Sequence, residues 1–181
     1  MLHPRHRLLG TLVFGLLVGL AACADEDAVM VREPGPAPVP VSGGMVAGPA
    51  LMIHSAVNPG LCADVAGDVP EPHATVQLFS CHGRENQRWN VAPGPNGATI
   101  TGLGGLCLDI HGRQPQDGAT AQVFPCNGGG NQRFGYRPDG RLQEVATGKC
   151  LTAMAIGDGA PLAVEPCDPR NAAQVWSIGP R

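Results

Sequence analysis

The chain has 181 residues, with 12 Lys and Arg against 15 Asp and Glu, for a formal charge of −3. That balance argues against nucleic acid as a partner, since binding phosphates calls for a basic face. Charged residues make up only 15%, while Gly (26) and Pro (18) are frequent, which suits short strands and turns better than long helices.

At the start of the chain, Arg5 and Arg7 precede an apolar run over 8–20. The run is too short to span a bilayer as a helix but has the length of a signal-peptide core. It ends in Leu20-Ala21-Ala22-Cys23, which resembles a bacterial lipobox. The resemblance implies removal of residues 1–22 and lipidation of Cys23. The other reading is ordinary cleavage at a small-residue site, leaving Cys23 as a free thiol. Cysteine arithmetic favours lipidation: seven cysteines less Cys23 leave six, which pair evenly in an oxidising compartment. The expectation is an exported lipoprotein, held to a membrane by its lipid. Ala24 rather than Asp follows the cysteine, which in similar lipoproteins points to the outer membrane; a cell-surface anchor fits the lipobox equally. Residues 24–50 hold five prolines and four glycines without an apolar period and read as a linker. Its PGPAPVPV stretch favours extended polyproline backbone, rising about 3 Å per residue.

From residue 51 the sequence repeats. Leading cysteines fall at Cys62, Cys107 and Cys150, trailing ones at Cys81, Cys126 and Cys167, and closing Q-x-[WF] triplets at Gln87, Gln132 and Gln174. Three landmarks keep one register, which divides the chain into repeats over 51–94, 95–138 and 139–181. Each repeat offers four short strands: 51–57, 61–65, 75–80 and 87–91; 98–102, 106–110, 121–124 and 132–136; 140–146, 150–154, 162–164 and 174–178. No segment shows a long 3.6-residue apolar period, so the expectation is an all-β domain of about twelve strands.

Six cysteines allow fifteen connectivities. Only Cys62–Cys81, Cys107–Cys126 and Cys150–Cys167 treat the three copies alike, so that pairing is expected. Alternation along each third strand places Val76 and Leu78 on one face and Gln77 and Phe79 on the other. With Leu78 in the core, an amide and an aromatic share the open side, and Gln122 and Phe124 repeat the pattern. Trp89, Phe134 and Trp176 read as core, and Gln87, Gln132 and Gln174 as structural groups that bond nearby backbone.

Three copies of about 43 residues, with C-x-D early in two of them and Q-x-W or Q-x-F closing each, resemble the ricin B-type lectin family. The resemblance covers residues 50–181. It implies a β-trefoil, in which six strands form a barrel and six cap it, and a shallow sugar pocket in each repeat. In such a pocket an Asp accepts from sugar hydroxyls, an aromatic stacks on the apolar sugar face, and Gln and Asn complete the ring. By this likeness the first repeat carries Asp64, Gln77, Phe79 and Asn86, with His82 as a further contact. The second carries Asp109, Gln122, Phe124 and Asn131, with Asn127 in place of His82. The third has Thr152, Ala163, Glu165 and Ala173 instead, so its pocket is expected to be dead.

The chemistry is coherent without the family. A carboxylate accepts paired hydroxyls through charge-assisted bonds, amides both donate and accept, and a phenyl ring covers C–H faces. The competing reading gives Asp64 and Asp109 to turns, and Asn86 and Asn131 to loop backbone. Loss of all four residues together in a repeat that keeps its cysteines and Gln-x-Trp favours the pocket reading. The expected function is non-catalytic binding of galactose- or xylose-type sugars through two pockets, by a monomer. A trefoil that binds protein through its loops is the alternative. Neither cofactor nor metal is implied, because His54, His73, His82 and His111 lack metal spacing or a nucleophile partner.

Overall fold

The structure is a computed structural model and describes residues 50–180. The leader, Cys23 and the linker up to residue 49 lie outside the described residues.

Twelve strands run in chain order: β1 (Met52–Ser55), β2 (Leu61–Val65), β3 (Val76–Ser80), β4 (Asn90–Ala92), β5 (Ala98–Thr101), β6 (Cys107–Ile110), β7 (Ala119–Phe124), β8 (Arg133–Tyr136), β9 (Leu142–Glu144), β10 (Cys150–Ala153), β11 (Ala160–Glu165) and β12 (Trp176–Gly179). β4 pairs β5, β5 pairs β8, β8 pairs β9, and β1 pairs β12, all antiparallel. Isolated bridges Leu51↔Trp89 and Arg141↔Val175 supply the two remaining seams, so these six strands close on themselves as a barrel. Closure removes the exposed sheet edges that would otherwise invite association. The other six strands form three hairpins, β2–β3, β6–β7 and β10–β11. Contacts β3–β11, β7–β11 and Thr75↔Gln122 join the hairpins into a three-cornered cap. A six-stranded barrel capped by three hairpins is a β-trefoil.

The core follows the alternation in sequence. Leu78, Leu108, Val123, Leu151 and Val164 point inward from the hairpins and are buried. Trp89, Phe134 and Trp176 are also fully buried, each contributing about 1.5–3 kcal/mol of apolar burial. An indole N–H cannot be buried without a partner: Trp89 donates to the Ala63 carbonyl (3.1 Å) and Trp176 to that of Leu151 (3.0 Å). Phe134, at the same place in the second repeat, has no N–H to satisfy. Gly102 is required by this packing, since a Cβ there would lie 2.7 Å from the Trp89 ring.

Disulfides join Cys62 to Cys81, Cys107 to Cys126 and Cys150 to Cys167, with Cα separations of 5.2, 5.1 and 5.0 Å. Each closes a loop of 17–19 residues within one repeat, worth about 3 kcal/mol by the chain-entropy account.

The fourth strand of each repeat begins later than its sequence suggests. Gln87, Gln132 and Gln174 end short 3-10 turns (Glu85–Gln87, Gly130–Gln132, Ala172–Gln174) instead of opening strands. Trp89 also precedes β4 and exchanges two backbone hydrogen bonds with Leu51, both 2.8 Å. The reason lies in the glutamine amide, which must fold back onto the hairpin. The turn aims it there before the chain extends.

Candidate functional site

β2 and β3 pair with Asp64 opposite Gln77, and β6 and β7 pair with Asp109 opposite Gln122. The pleat puts each carboxylate beside a cross-strand amide. Gln77 Nε2 donates to Asp64 Oδ1 (3.2 Å), and Gln122 Nε2 to Asp109 Oδ1 (2.8 Å). The following 3-10 turn brings two more amides to the other oxygen. Asn86 and Gln87 donate to Asp64 Oδ2 at 2.8 and 2.9 Å; Asn131 and Gln132 donate to Asp109 Oδ2 at 3.0 and 2.9 Å. Both Asp side chains are buried, at 2% exposure each. A carboxylate has about four acceptor positions, so three amides leave about one, on Oδ1, for anything else.

The closing glutamines hold the ring together. Gln87 Oε1 accepts from the backbone N–H of His82 and Gly83, while its Nε2 also reaches the Ser80 carbonyl. Gln132 does the same with the Asn127 N–H and the Pro125 carbonyl. They are structural, as expected, but the carboxylate they bond is the pocket's own. The sequence did not suggest that link.

Phe79 is 36% exposed and Phe124 is half-buried, on the open face with Gln77 and Gln122. His82 stands beside the first ring: its Nε2 lies 3.5 Å from Asp64 Oδ2, and its ring centroid is 6.0 Å from that of Phe79. Burial raises the pKa of Asp64 above the ordinary value. Hydrogen bonds from Gln87 and Gln77 and the nearby His82 offset part of that rise, while Asp68 adds to it. Asn86 Oδ1 is buried without a partner. Around Asp109, Gln122, Phe124, Asn127 and Asn131 lies a depression of about 570 Å³. Thus all ten predicted residues fall into two clusters, one per repeat.

A sequence comparison bears on the trefoil that carries this ring. Residues 49–176 fit the profile of the ricin-type β-trefoil lectin domain. The chain belongs to that family. Among solved structures, this lectin domain is similar to a designed threefold-symmetric protein, ThreeFoil, at 23% identity and TM-score 0.67, over 72% of this chain and 98% of that one. An agglutinin from Abrus precatorius is similar at 24% identity and TM-score 0.61, over 72% of this chain and 48% of that one. An exo-β-1,3-galactanase from Clostridium thermocellum is similar at 20% identity and TM-score 0.66, over 74% of this chain and 30% of that one. These likenesses establish the fold; the chain spans about half of the agglutinin and under a third of the galactanase. No curated protein matches the chain in sequence.

The third repeat of the lectin domain keeps the frame and changes the ring. Thr152 Oγ1 accepts from Gln174 Nε2 (3.1 Å), and Gln174 also bonds the Pro166 carbonyl and the Asp168 N–H. A hydroxyl therefore replaces the carboxylate as the glutamine's anchor. Opposite Thr152 stands Ala163, which has no amide to offer. The Asp position is thus partly structural in every copy, a point that loss of the Asp in the third repeat obscures. Ala163, Glu165 and Ala173 supply none of the remaining ring chemistry.

Pocket residues were missed in the sequence, among them His111 and Arg113, which also line the second depression. His73, in the loop before β3, belongs to the second pocket: its Nδ1 lies 3.1 Å from Gln122 Oε1, and its ring centroid 4.8 Å from that of Phe124. His54 instead lies against the Cys62–Cys81 disulfide. Those sulfurs are oxidised and unsuited to holding a metal.

Proposed function

We propose that this lectin domain binds saccharides without cleaving them, through the pockets at Asp64, Gln77, Phe79, His82 and Asn86 and at Asp109, Gln122, Phe124, Asn127 and Asn131. The observation that carries the reading is the doubled constellation. In two repeats, an amide-ordered carboxylate, a cross-strand Gln and an open phenyl ring recur with the same partners. The amides fix the carboxylate's position before a ligand arrives, which reduces the ordering cost of binding. The remaining acceptor position on Asp Oδ1 suits a hydroxyl, and the phenyl ring suits the C–H face of a galactose- or xylose-type ring. Neither ring residue presents a polar tip.

Among the described residues around the second depression, Asp109 is the one carboxylate. Hydrolysis of a glycosidic bond ordinarily uses two carboxyl groups about 5–10 Å apart, which supports binding over catalysis. A shallow site of this kind is expected to bind with about millimolar affinity; two on one domain add avidity on a polysaccharide. The lipid anchor at Cys23 and the linker extend the same reading: a monomeric domain held at the envelope and reaching outward for glycan. Labelling with a radioactive fatty acid, lost in Cys23→Ser, tests the anchor.

A glycan array probed with the protein tests the binding reading. Signal on galactose- or xylose-bearing glycans that disappears in Phe79→Ala/Phe124→Ala is expected. Undiminished signal in that double variant would overturn the pocket assignment.

A further inference from the structure

The two pockets share an inner ring but differ at the rim. Backbone pairing fixes which rim positions correspond. The N–H groups of Ala66, His111 and Met154 donate to the carbonyls of Thr75, Thr120 and Pro161, so these three are equivalent. Two residues on stand Asp68, Arg113 and Ile156. The N–H groups of His73, Gly118 and Gly159 donate to Val123, Val164 and Leu78, each ahead of a repeat's Phe or Glu. These three share left-handed backbone, at φ of 72, 78 and 81°. Glycine fills that position in two copies, where it is free of strain. His73 occupies it against a backbone strain that glycine escapes. The strained residue places its imidazole on Gln122 and Phe124.

Cationic or protonatable groups therefore gather around the second pocket, at Arg113, His111 and His73. The corresponding points around the first are Asp68, Ala66 and Gly159, with Asp158 beside the last and bonded to Ser80; the first pocket's own imidazole, His82, faces Asp64, where the second has Asn127. The contrast is set in a chain whose formal charge is −3. The Gln122 amide is oriented by Asp109, so its Oε1 faces His73 Nδ1, which must donate. That assignment leaves His73 Nε2 to meet a ligand, and it donates to an acid group as the imidazolium, in which both ring nitrogens carry protons.

We propose that the second-repeat pocket takes an acidic saccharide, its acid group held by Arg113 with the imidazoles of His73 and His111, while the first takes a neutral sugar. The assignment rests on the sugar-binding reading above. The guanidinium fork pairs with a carboxylate or a sulfate through two parallel bonds, a match that a neutral hydroxymethyl group lacks. The inner ring, common to both pockets, handles the sugar hydroxyls and C–H face. The rim then selects by charge.

The test uses matched probes: galactose, galacturonate and galactose 6-sulfate, and xylose against glucuronate. Binding is measured on the full chain carrying Phe79→Ala, which leaves the second pocket, and on Phe124→Ala, which leaves the first. In Phe79→Ala the acidic sugars should bind about tenfold tighter than their neutral partners, and the advantage should shrink with added salt. Adding Arg113→Asp, which copies the first repeat, should abolish the ratio. His73→Gly, which copies the other two repeats, should lower it with the fold intact by circular dichroism. Galacturonate alone being favoured assigns the site to carboxylates; galactose 6-sulfate being favoured as well assigns it to acid groups generally. Equal affinity for acidic and neutral probes in Phe79→Ala, or the preference residing in Phe124→Ala, would overturn the proposal while leaving sugar binding in place. Absence of binding to any probe in the unmodified protein would overturn the sugar-binding reading itself.

Discussion

The third repeat and the first two share a frame and differ in what the frame presents. Cys150–Cys167 repeats Cys62–Cys81 and Cys107–Cys126, and Trp176 repeats Trp89 down to its indole bond to a hairpin carbonyl. Gln174 even keeps a side-chain acceptor, Thr152 in place of Asp. What disappears is the second amide opposite, the open aromatic and the turn Asn. The comparison separates two jobs that Asp64 and Asp109 perform together. One is to anchor the closing glutamine, which a hydroxyl can also do. The other is to present an ordered carboxylate oxygen beside a phenyl ring, which the third copy has given up.

The division can be broken in several ways. The largest effect is expected from Asp109→Ala, which removes one acceptor from each of the buried amides of Gln122, Asn131 and Gln132. Bonds lost in this way should cost about 3–5 kcal/mol together in urea unfolding. Thr152→Ala removes one acceptor from the Gln174 amide alone and should cost about 1–2 kcal/mol. Equal losses for the two would mean the carboxylate has no special place in the frame. Asp109→Thr, borrowing the third repeat's solution, should recover part of the stability and none of the sugar binding.

Disulfides should ignore the division. Replacing both cysteines of any one pair with Ala should cost about 3 kcal/mol whichever repeat is chosen. A much smaller loss in the third repeat would show that its frame, and not only its pocket, has relaxed. Phe124→Ala should behave in the opposite way. The ring is half-buried at the surface, so stability should change by about 1 kcal/mol or less, while binding at the second pocket, about millimolar at the outset, should fall below detection. Calorimetry reads both quantities.

The smallest effect concerns pH. The Asp64 carboxyl has its pKa raised in the folded protein, chiefly by burial, so it takes up a proton at a higher pH than in the unfolded chain. Between those two pKa values the folded state holds the extra proton. Asp64 therefore penalises folding fully at neutral pH, and acidification through that window relieves the penalty. Ligand binding should move the other way. In Phe124→Ala, sugar affinity at the first pocket should decline on acidification before an exposed Asp would protonate. Affinity that stays flat until the ordinary carboxylate range would contradict this account of Asp64.

Much of the design was legible in sequence because the chain states it more than once. The spacing from Cys62 to Asp64 and from Gln77 to Phe79 recurs from Cys107 to Asp109 and from Gln122 to Phe124. Pleat alternation then turns spacing into facing. The misses have physical causes. Replacing Asp with Thr reads as a loss, because a letter change does not reveal that a hydroxyl still accepts from Gln174. The turns at Gln87, Gln132 and Gln174 look like strand starts, since an aromatic two residues later imitates alternation. His73 lies 49 residues from Gln122 and meets it only because the hairpins join at the cap. A signal was nevertheless present. His73, Gly118 and Gly159 are spaced as the trailing cysteines are, so the repeat register set a histidine where its sister copies have glycine.

The central claim is that sugar sites exist in the first two repeats and not in the third. Binding stoichiometry by titration calorimetry tests it most directly, with the unmodified protein, Phe79→Ala, Phe124→Ala and the double variant. Two sites, then one, one and none, is the predicted series. Residual binding in the double variant with the affinity of the unmodified protein would contradict it.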